Sequence, residues 1–99
     1  MSLEINKIKT YVGFAIKSRS IIYGVDDIAK SNKSHIIMCS VLLADSSKDK
    51  LIRFANSKNI EVVECDENVF EQLFGDKNIK AIAITDKNLA LAIKKNVTF

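Results

Sequence analysis

The stretch Ser20-Ile21-Ile22-Tyr23-Gly24-Val25-Asp26-Asp27-Ile28-Ala29-Lys30 predicts a short strand, a glycine turn and a helix. Glycine is favoured where a strand turns sharply into a helix, because it tolerates positive φ. Asp26 and Asp27 then fall in the first turn of the helix, with Lys30 one turn further on. A helix start with free N–H groups and a nearby lysine suits a phosphate or a base edge. The alternative is that both acids only cap the helix and that Lys30 is their solvated partner.

Helices and strands alternate along the rest of the chain. The inward face of a first helix over 3–18 is predicted from the helical spacing of Ile5, Ile8, Val12, Ala15 and Ile16. Short apolar runs predict strands over 20–23, 34–39, 60–65 and 79–84. Helices are expected between these strands, one of them beginning at the capping box Ser46–Asp49 and carrying Leu51, Ile52 and Ala55 inward. Asp66 and Gly75 should bound the next helix, and Thr85 or Asp86 should cap the last. This alternation predicts an α/β sandwich, a sheet covered by helices on both faces.

Length and composition indicate one soluble domain covering residues 1–99. The chain is 47% hydrophobic and 27% charged, with a formal net charge of +3. No apolar run approaches the ~20 residues of a membrane span, and the beginning of the chain lacks a secretory pattern. We therefore expect a cytoplasmic protein with no membrane contact. Cys39 and Cys65 are widely separated, and reduced thiols in the core are the simplest interpretation.

Enzyme chemistry finds little support in the sequence. His35 is the only histidine, and it opens a strand that looks buried, which favours a structural role. Neither a GxxxxGK[ST] nor a GxGxxG motif occurs, and two cysteines with one histidine do not make a zinc site. The acid pairs Asp26/Asp27 and Asp66/Glu67 lie at predicted helix starts, which favours a helix-start role over general acid–base catalysis. We expect no enzymatic activity, no metal and no cofactor.

The chain resembles a known family across nearly its whole length. Tyr11-Val12-Gly13-Phe14-Ala15-Ile16-Lys17-Ser18-Arg19, followed by Gly24 and Lys30, is similar to the opening of the small ribosomal proteins that bind kink-turn RNA. These form the L-seven-Ae/L-thirty-e group, whose short bacterial members of the YlxQ and YbxF type are closest in length. The likeness continues through His35–Cys39, Val69–Gly75 and Ala81–Asp86. It implies a three-layer α/β/α sandwich with a small mixed four-stranded sheet.

The resemblance also implies where RNA would bind. Typical members carry Gly-x-Asn-Glu-x-x-Lys at the turn; Gly24 and Lys30 match it, whereas Asp26 replaces the asparagine and Asp27 the glutamate. Asp27 can accept hydrogen bonds from a guanine edge as glutamate does, but it is one methylene shorter. An ionised Asp26 can only accept, and it would repel phosphate.

The expected RNA site combines the turn with surrounding cations. Its members are Gly24, Asp26, Asp27, Lys30 and Lys33, with Lys17, Arg19 and Lys77 supplying phosphate contacts. Lys77 lies in the loop after the fourth helix and is equally well interpreted as a plain loop lysine. The implied partners are structured RNA, either rRNA or an mRNA leader, and ribosomal proteins, and the chain should be a monomer or a weak homodimer.

A second interpretation is a diverged paralogue that lost base readout and now binds a protein. Val41, Leu42 and Leu43 either continue the core, which we favour, or form an exposed patch for such a partner. Charge geometry separates the two functions. The RNA-binding interpretation is favoured if the cations of the expected site lie together on one face. The protein-binding interpretation is favoured if these cations lie apart and the apolar residues are exposed.

Overall fold

A computed structural model describes residues 2–75 and 78–98 of the chain. None of the helices within those ranges is both long and apolar enough to cross a bilayer. The elements follow in the order β1 (Ser2–Leu3), α1 (Ile5–Lys17), β2 (Ile21–Tyr23), α2 (Val25–Lys30), β3 (Ile36–Ser40), α3 (Asp45–Lys58), β4 (Glu61–Cys65), α4 (Glu67–Phe74), β5 (Ala81–Ile84), α5 (Lys87–Lys95) and β6 (Val97–Thr98).

Four strands form a mixed sheet in the order β2-β5-β3-β4. β5 runs antiparallel to both β2 and β3, whereas β4 is parallel to β3. The register places Ala83 of β5 opposite Ile22 on one side and Ile37 on the other. The prediction of an α/β fold with a mixed four-stranded sheet is therefore confirmed. A second sheet, the antiparallel pair of β1 and β6 with Leu3 opposite Val97, was not predicted.

Two hydrophobic clusters lie on opposite faces of the sheet. Ile36 and Met38 of β3 face the cluster formed with α1, α4 and α5, whereas Ile37 and Cys39 face the cluster formed with α2 and α3. Alternate residues of a strand point to opposite faces, so a strand covered on both sides must be apolar throughout. This explains the uninterrupted apolar runs in β3 and β5, both fully buried.

Three of the predicted helix boundaries are confirmed. Asp66 accepts a hydrogen bond from the Asn68 N–H at 2.8 Å, and Asp86 accepts one from the Leu89 N–H at 3.0 Å, so Asp86 rather than Thr85 caps α5. Gly75 ends α4 with a φ of 68°. This is the left-handed conformation in which glycine commonly terminates a helix.

Other details of the helices differ from the prediction. α1 begins at Ile5, because the residues before it pair with β6. α3 begins at Asp45 behind Ala44, without a side-chain cap, so the predicted capping box is wrong. Ile16 is 45% exposed and Ile52 is 38% exposed. Each follows a buried residue directly and is rotated about 100° away from the inward stripe of its helix.

The two cysteines are free thiols in the core, as predicted. Cys39 belongs to the cluster under α2 and α3, and Cys65 to the cluster on the other face of the sheet. Burial raises the pKa of Cys39 from 9.0 to about 11 and that of Cys65 from 9.0 to about 12. Nearby carboxylates act in the same direction on both thiols.

These raised pKa values predict a loss of stability in alkali. Above about pH 9 the unfolded chain releases thiol protons that the folded protein retains, so the thiols' contribution to stability is intact below that pH. It falls as pH rises from about 9 toward 11. Urea unfolding across this range should show a decrease in the free energy of unfolding. The decrease should be smaller in a Cys39→Ala/Cys65→Ala variant. Rapid iodoacetamide labelling of the native protein would contradict the burial of the thiols.

Candidate nucleic-acid interface

Gly24 forms an elbow between β2 and α2. Its φ of 89° and ψ of 145° lie in a region that is open essentially to glycine alone. The Gly24 N–H donates to the carbonyl of Ala81 at 3.0 Å, which ties the elbow to the start of β5. Buried Ile28 anchors α2 to the sheet. The predicted glycine turn is confirmed, and Asp26 and Asp27 lie in the first turn of α2.

The two acids of the elbow have different surroundings, and neither makes a side-chain cap of α2. Asp26 Oδ1 accepts a hydrogen bond from Lys50 Nζ of α3 at 2.6 Å, and both side chains are solvent-exposed. The Lys50 hydrogen bond and charge hold the pKa of Asp26 below its usual 3.8, and Lys30 adds a smaller effect in the same direction. Both acids nevertheless lie in the first turn of α2, where negative charge stabilises a helix, so the interpretation of them as helix-start acids remains an alternative.

The Asp27 side chain is exposed and makes no hydrogen bond or ion pair within residues 2–75 and 78–98. The Lys30 side chain is also exposed and forms no hydrogen bond with this part of the chain, although its charge acts on Asp26. The elbow therefore presents one carboxylate neutralised by a lysine and, beside it, one carboxylate that is available as an acceptor. An exposed ammonium lies one turn further along α2.

Three connections meet beside the elbow. β2, β3 and β4 run in one direction and β5 in the other, so the connections that follow β2, β3 and β4 and the one that precedes β5 share one edge of the sheet. We call it the elbow edge. The Ser40 N–H donates to the Lys80 carbonyl at 2.8 Å and the Val41 N–H to the Cys65 carbonyl at 2.9 Å, which joins the strand ends there.

Two apolar side chains of the turn after β3 are exposed on the elbow edge. Val41 is 44% exposed and Leu42 is 53% exposed, so the expectation that they continue the core is wrong. The Leu42 N–H donates to Ser40 Oγ in a turn that carries both residues away from the sheet. Leu43 is partly buried and packs against the cluster under α2 and α3, as expected.

The cations of the expected site do not all lie at the elbow. Lys17 and Arg19 precede β2 and Lys33 precedes β3, so these three lie at the opposite edge of the sheet. The three residues of β2 alone separate the two edges by about 10 Å. Gly24, Asp26, Asp27 and Lys30 remain together on the elbow edge and α2. Lys77 lies outside the described residues.

Sequence reasoning missed several charged residues of the elbow edge. Lys50 comes from α3, 24 residues beyond Asp26, and no local pattern connects the two. Lys48 pairs with Glu64 at 3.1 Å, and this hydrogen bond raises the pKa of Lys48. Carboxylates are also frequent here, so the elbow edge carries mixed charge. The acids that lie on or next to it are Asp26, Asp27, Asp45, Glu64, Asp66 and Glu67.

Within residues 2–75 and 78–98, no group of three or more His, Cys, Asp or Glu side chains is placed to hold a metal ion. His35 is exposed at the opposite edge, where its N–H donates to the Ile84 carbonyl at 2.9 Å.

The elbow conformation predicts contrasting effects of alanine at two glycines. The Gly24→Ala substitution should destabilise the protein by about 1–3 kcal/mol, because alanine is strained at this φ although no atom of the described residues beyond its chain neighbours lies within 4 Å of its Cβ. Gly13→Ala is the matched control, since Gly13 lies within α1 with equally open space. It should stabilise by roughly 0.5–1 kcal/mol. Urea unfolding measures both, and equal effects would contradict the elbow.

Comparison with known proteins adds support for the fold alone. No family profile and no curated protein matches the sequence. A solved structure of a protein of unknown function from Bacillus halodurans is similar, with a TM-score of 0.79 and 17% sequence identity. The alignment covers 90% of this chain and 94% of that one. The similarity therefore extends over the whole sandwich and says nothing about the chemistry of the elbow.

Proposed function

We propose that this protein is an RNA-binding module that docks a kinked or internal-loop RNA on its elbow edge. The observation that carries the proposal is the exposed Asp27 carboxylate, without a partner in the described ranges, directly after a glycine elbow. A carboxylate in that position can accept hydrogen bonds from the amino and imino groups of a guanine edge. Its place in the chain corresponds to the glutamate of the family that the sequence resembles.

The Asp26–Lys50 pair supports this function by removing an obstacle to it. An isolated carboxylate in the asparagine position would repel the RNA backbone. Lys50 lies 2.6 Å from the Asp26 oxygen, so the pair carries no net charge where the phosphates would approach. Lys30 is one turn away and available for a phosphate contact.

The exposed Val41 and Leu42, which the charge-geometry criterion counts toward a protein partner, also lie close enough to the elbow to contact the same RNA. β5 lies between β2 and β3 in the sheet, so the end of β3 is two strand spacings, about 10 Å, from the elbow. Apolar side chains at that distance can cover a base or ribose that a sharp bend has unstacked. We propose rRNA or an mRNA leader as the RNA, and ribosome association in the cytoplasm as the setting.

Substitutions at Asp27 test base readout. Asp27→Glu should strengthen binding to a kink-turn RNA, because the longer side chain restores the reach of the family's glutamate. Asp27→Ala should weaken binding by roughly 1–3 kcal/mol, the value of one base contact. Titration calorimetry with blunt-ended kinked and unkinked RNAs of equal length measures both. Base readout is excluded if all three proteins bind the two RNAs alike.

Two lysines form a matched test of the phosphate contact. Lys30→Ala should weaken binding of the kink-turn RNA severalfold and reduce the salt dependence by about one charge. Lys33→Ala makes the same change in net charge at the opposite edge and should leave that binding unchanged. Equal losses in the two variants would show that general charge, not the elbow, attracts the RNA.

A protein partner is the second candidate function, favoured by the exposure of Val41 and Leu42 and by the separation of Lys17, Arg19 and Lys33 from the elbow. An exposed apolar pair surrounded by mixed charge is typical of a small protein contact. A Val41→Ser/Leu42→Ser variant that folds normally and binds kink-turn RNA like the parent would favour this function.

A further inference from the structure

The edge opposite the elbow is the more cationic of the two. It is formed by the connections that precede β2, β3 and β4 and the one that follows β5. Two acids, Glu61 and Asp86, belong to this edge within the described residues, and Asp86 also caps α5. The cations of these connections and of the adjoining helix ends are Lys17, Arg19, Lys33, Lys58 and Lys87. Charge of this kind attracts a polyanion.

A groove of about 530 Å³ opens on this edge between the end of α1 and the start of α5. Phe14 forms part of its wall and is 52% exposed. The other residues that line it are Lys17, Ser18, Asp86, Asn88 and Leu89. The groove thus places an open aromatic ring next to an ammonium, an amide, a hydroxyl and the carboxylate of Asp86.

This combination matches the chemistry of an unpaired nucleotide. A base stacks on an exposed aromatic ring whatever its identity, and neighbouring cations hold the backbone phosphates. Asn88 can both donate to and accept from a base edge. A bare apolar groove would fit many ligands, whereas Phe14 together with Lys17 favours one that is both aromatic and anionic.

A second pocket lies on the same edge, on the other side of the sheet. It measures about 270 Å³ and is lined by Ser31, Asn32, Ser34, Lys58 and Ile60. Ser34 is 8% exposed, and its hydroxyl has no hydrogen-bond partner among the described residues. Buried hydroxyls normally have partners. A polar pocket with a lysine and an unpaired hydroxyl is suited to phosphate oxygens. Groups suited to phosphate therefore occur at this edge on both sides of the sheet.

We propose that the edge opposite the elbow is a second RNA-binding surface, specific for a single strand, with an unpaired base stacked on Phe14 and phosphates held by Lys17 and Arg19. This goes beyond the docking of a kinked duplex at the elbow. The two surfaces are separated by the length of the strands, so either can exist without the other. A protein with both would hold a kinked duplex and its single-stranded flank at once.

Fluorescence anisotropy with a labelled single-stranded oligouridylate tests the stacking contact. Phe14→Ala should weaken binding about fivefold or more, and Phe14→Tyr should retain it, because tyrosine keeps the ring. Leu91→Ala is the matched control, since Leu91 is 45% exposed on α5 and does not line the groove. Thermal unfolding checks that all three variants fold. Equal effects of Phe14→Ala and Leu91→Ala would overturn the proposal.

The salt dependence of the same titration tests the phosphate contacts. Lys17→Gln should lower the slope of log affinity against log salt by about 0.7, the value of one contact to a single strand. Lys95→Gln makes the same change in net charge at the far end of α5 and should leave the slope unaltered. Equal slopes in the two variants would remove Lys17 from the interface.

A crossed experiment separates this inference from the proposed function. Asp27→Ala should leave oligouridylate binding intact, and Phe14→Ala should leave binding of the blunt kink-turn RNA intact. If only the oligouridylate result fails, the second surface is wrong and the elbow is not affected. The parent protein could instead sediment as a dimer that Phe14→Ala dissociates, and bind no oligouridylate. That result would assign the groove to a second copy of the chain.

Discussion

The direction of β5 determines where every connection of the main sheet lies. Because β5 sits between β2 and β3 and runs against both, the ends of β2, β3 and β4 meet the beginning of β5 at one edge. The beginnings of the same three strands meet the end of β5 at the other. Buried alternating side chains fix this arrangement, since a slip of one residue would move every core residue to the wrong face. The chemistry of the surface is therefore divided between two edges.

At the elbow edge, backbone conformation and charge pairing act together. Gly24 permits the turn that brings Asp26 and Asp27 to the surface, and α3 then supplies Lys50 to pair with the first of them. Lys50 thus offsets the negative charge of Asp26 from another helix. In the proposed function, this pairing removes the repulsion that an isolated carboxylate would exert on the RNA backbone.

Local patterns were sufficient to predict the sandwich, the elbow and the caps at Asp66 and Asp86, because each depends on residues within one turn or strand. They could not predict the Asp26–Lys50 pair, which joins residues 24 positions apart. They also grouped Lys17, Arg19 and Lys33 with the elbow, since closeness along the chain hides the fact that a strand carries its two ends apart. The turn at Ser40 that exposes Val41 and Leu42 gave no signal distinct from core.

Mapping of backbone amide NMR shifts during addition of a blunt kink-turn RNA tests the central claim most directly. If the elbow edge is the docking surface, the largest changes will appear over residues 24–27 and at Val41 and Leu42, whereas residues 17–20 and 31–35 will change little. Changes concentrated at the opposite edge, or none at saturating RNA, would contradict the account.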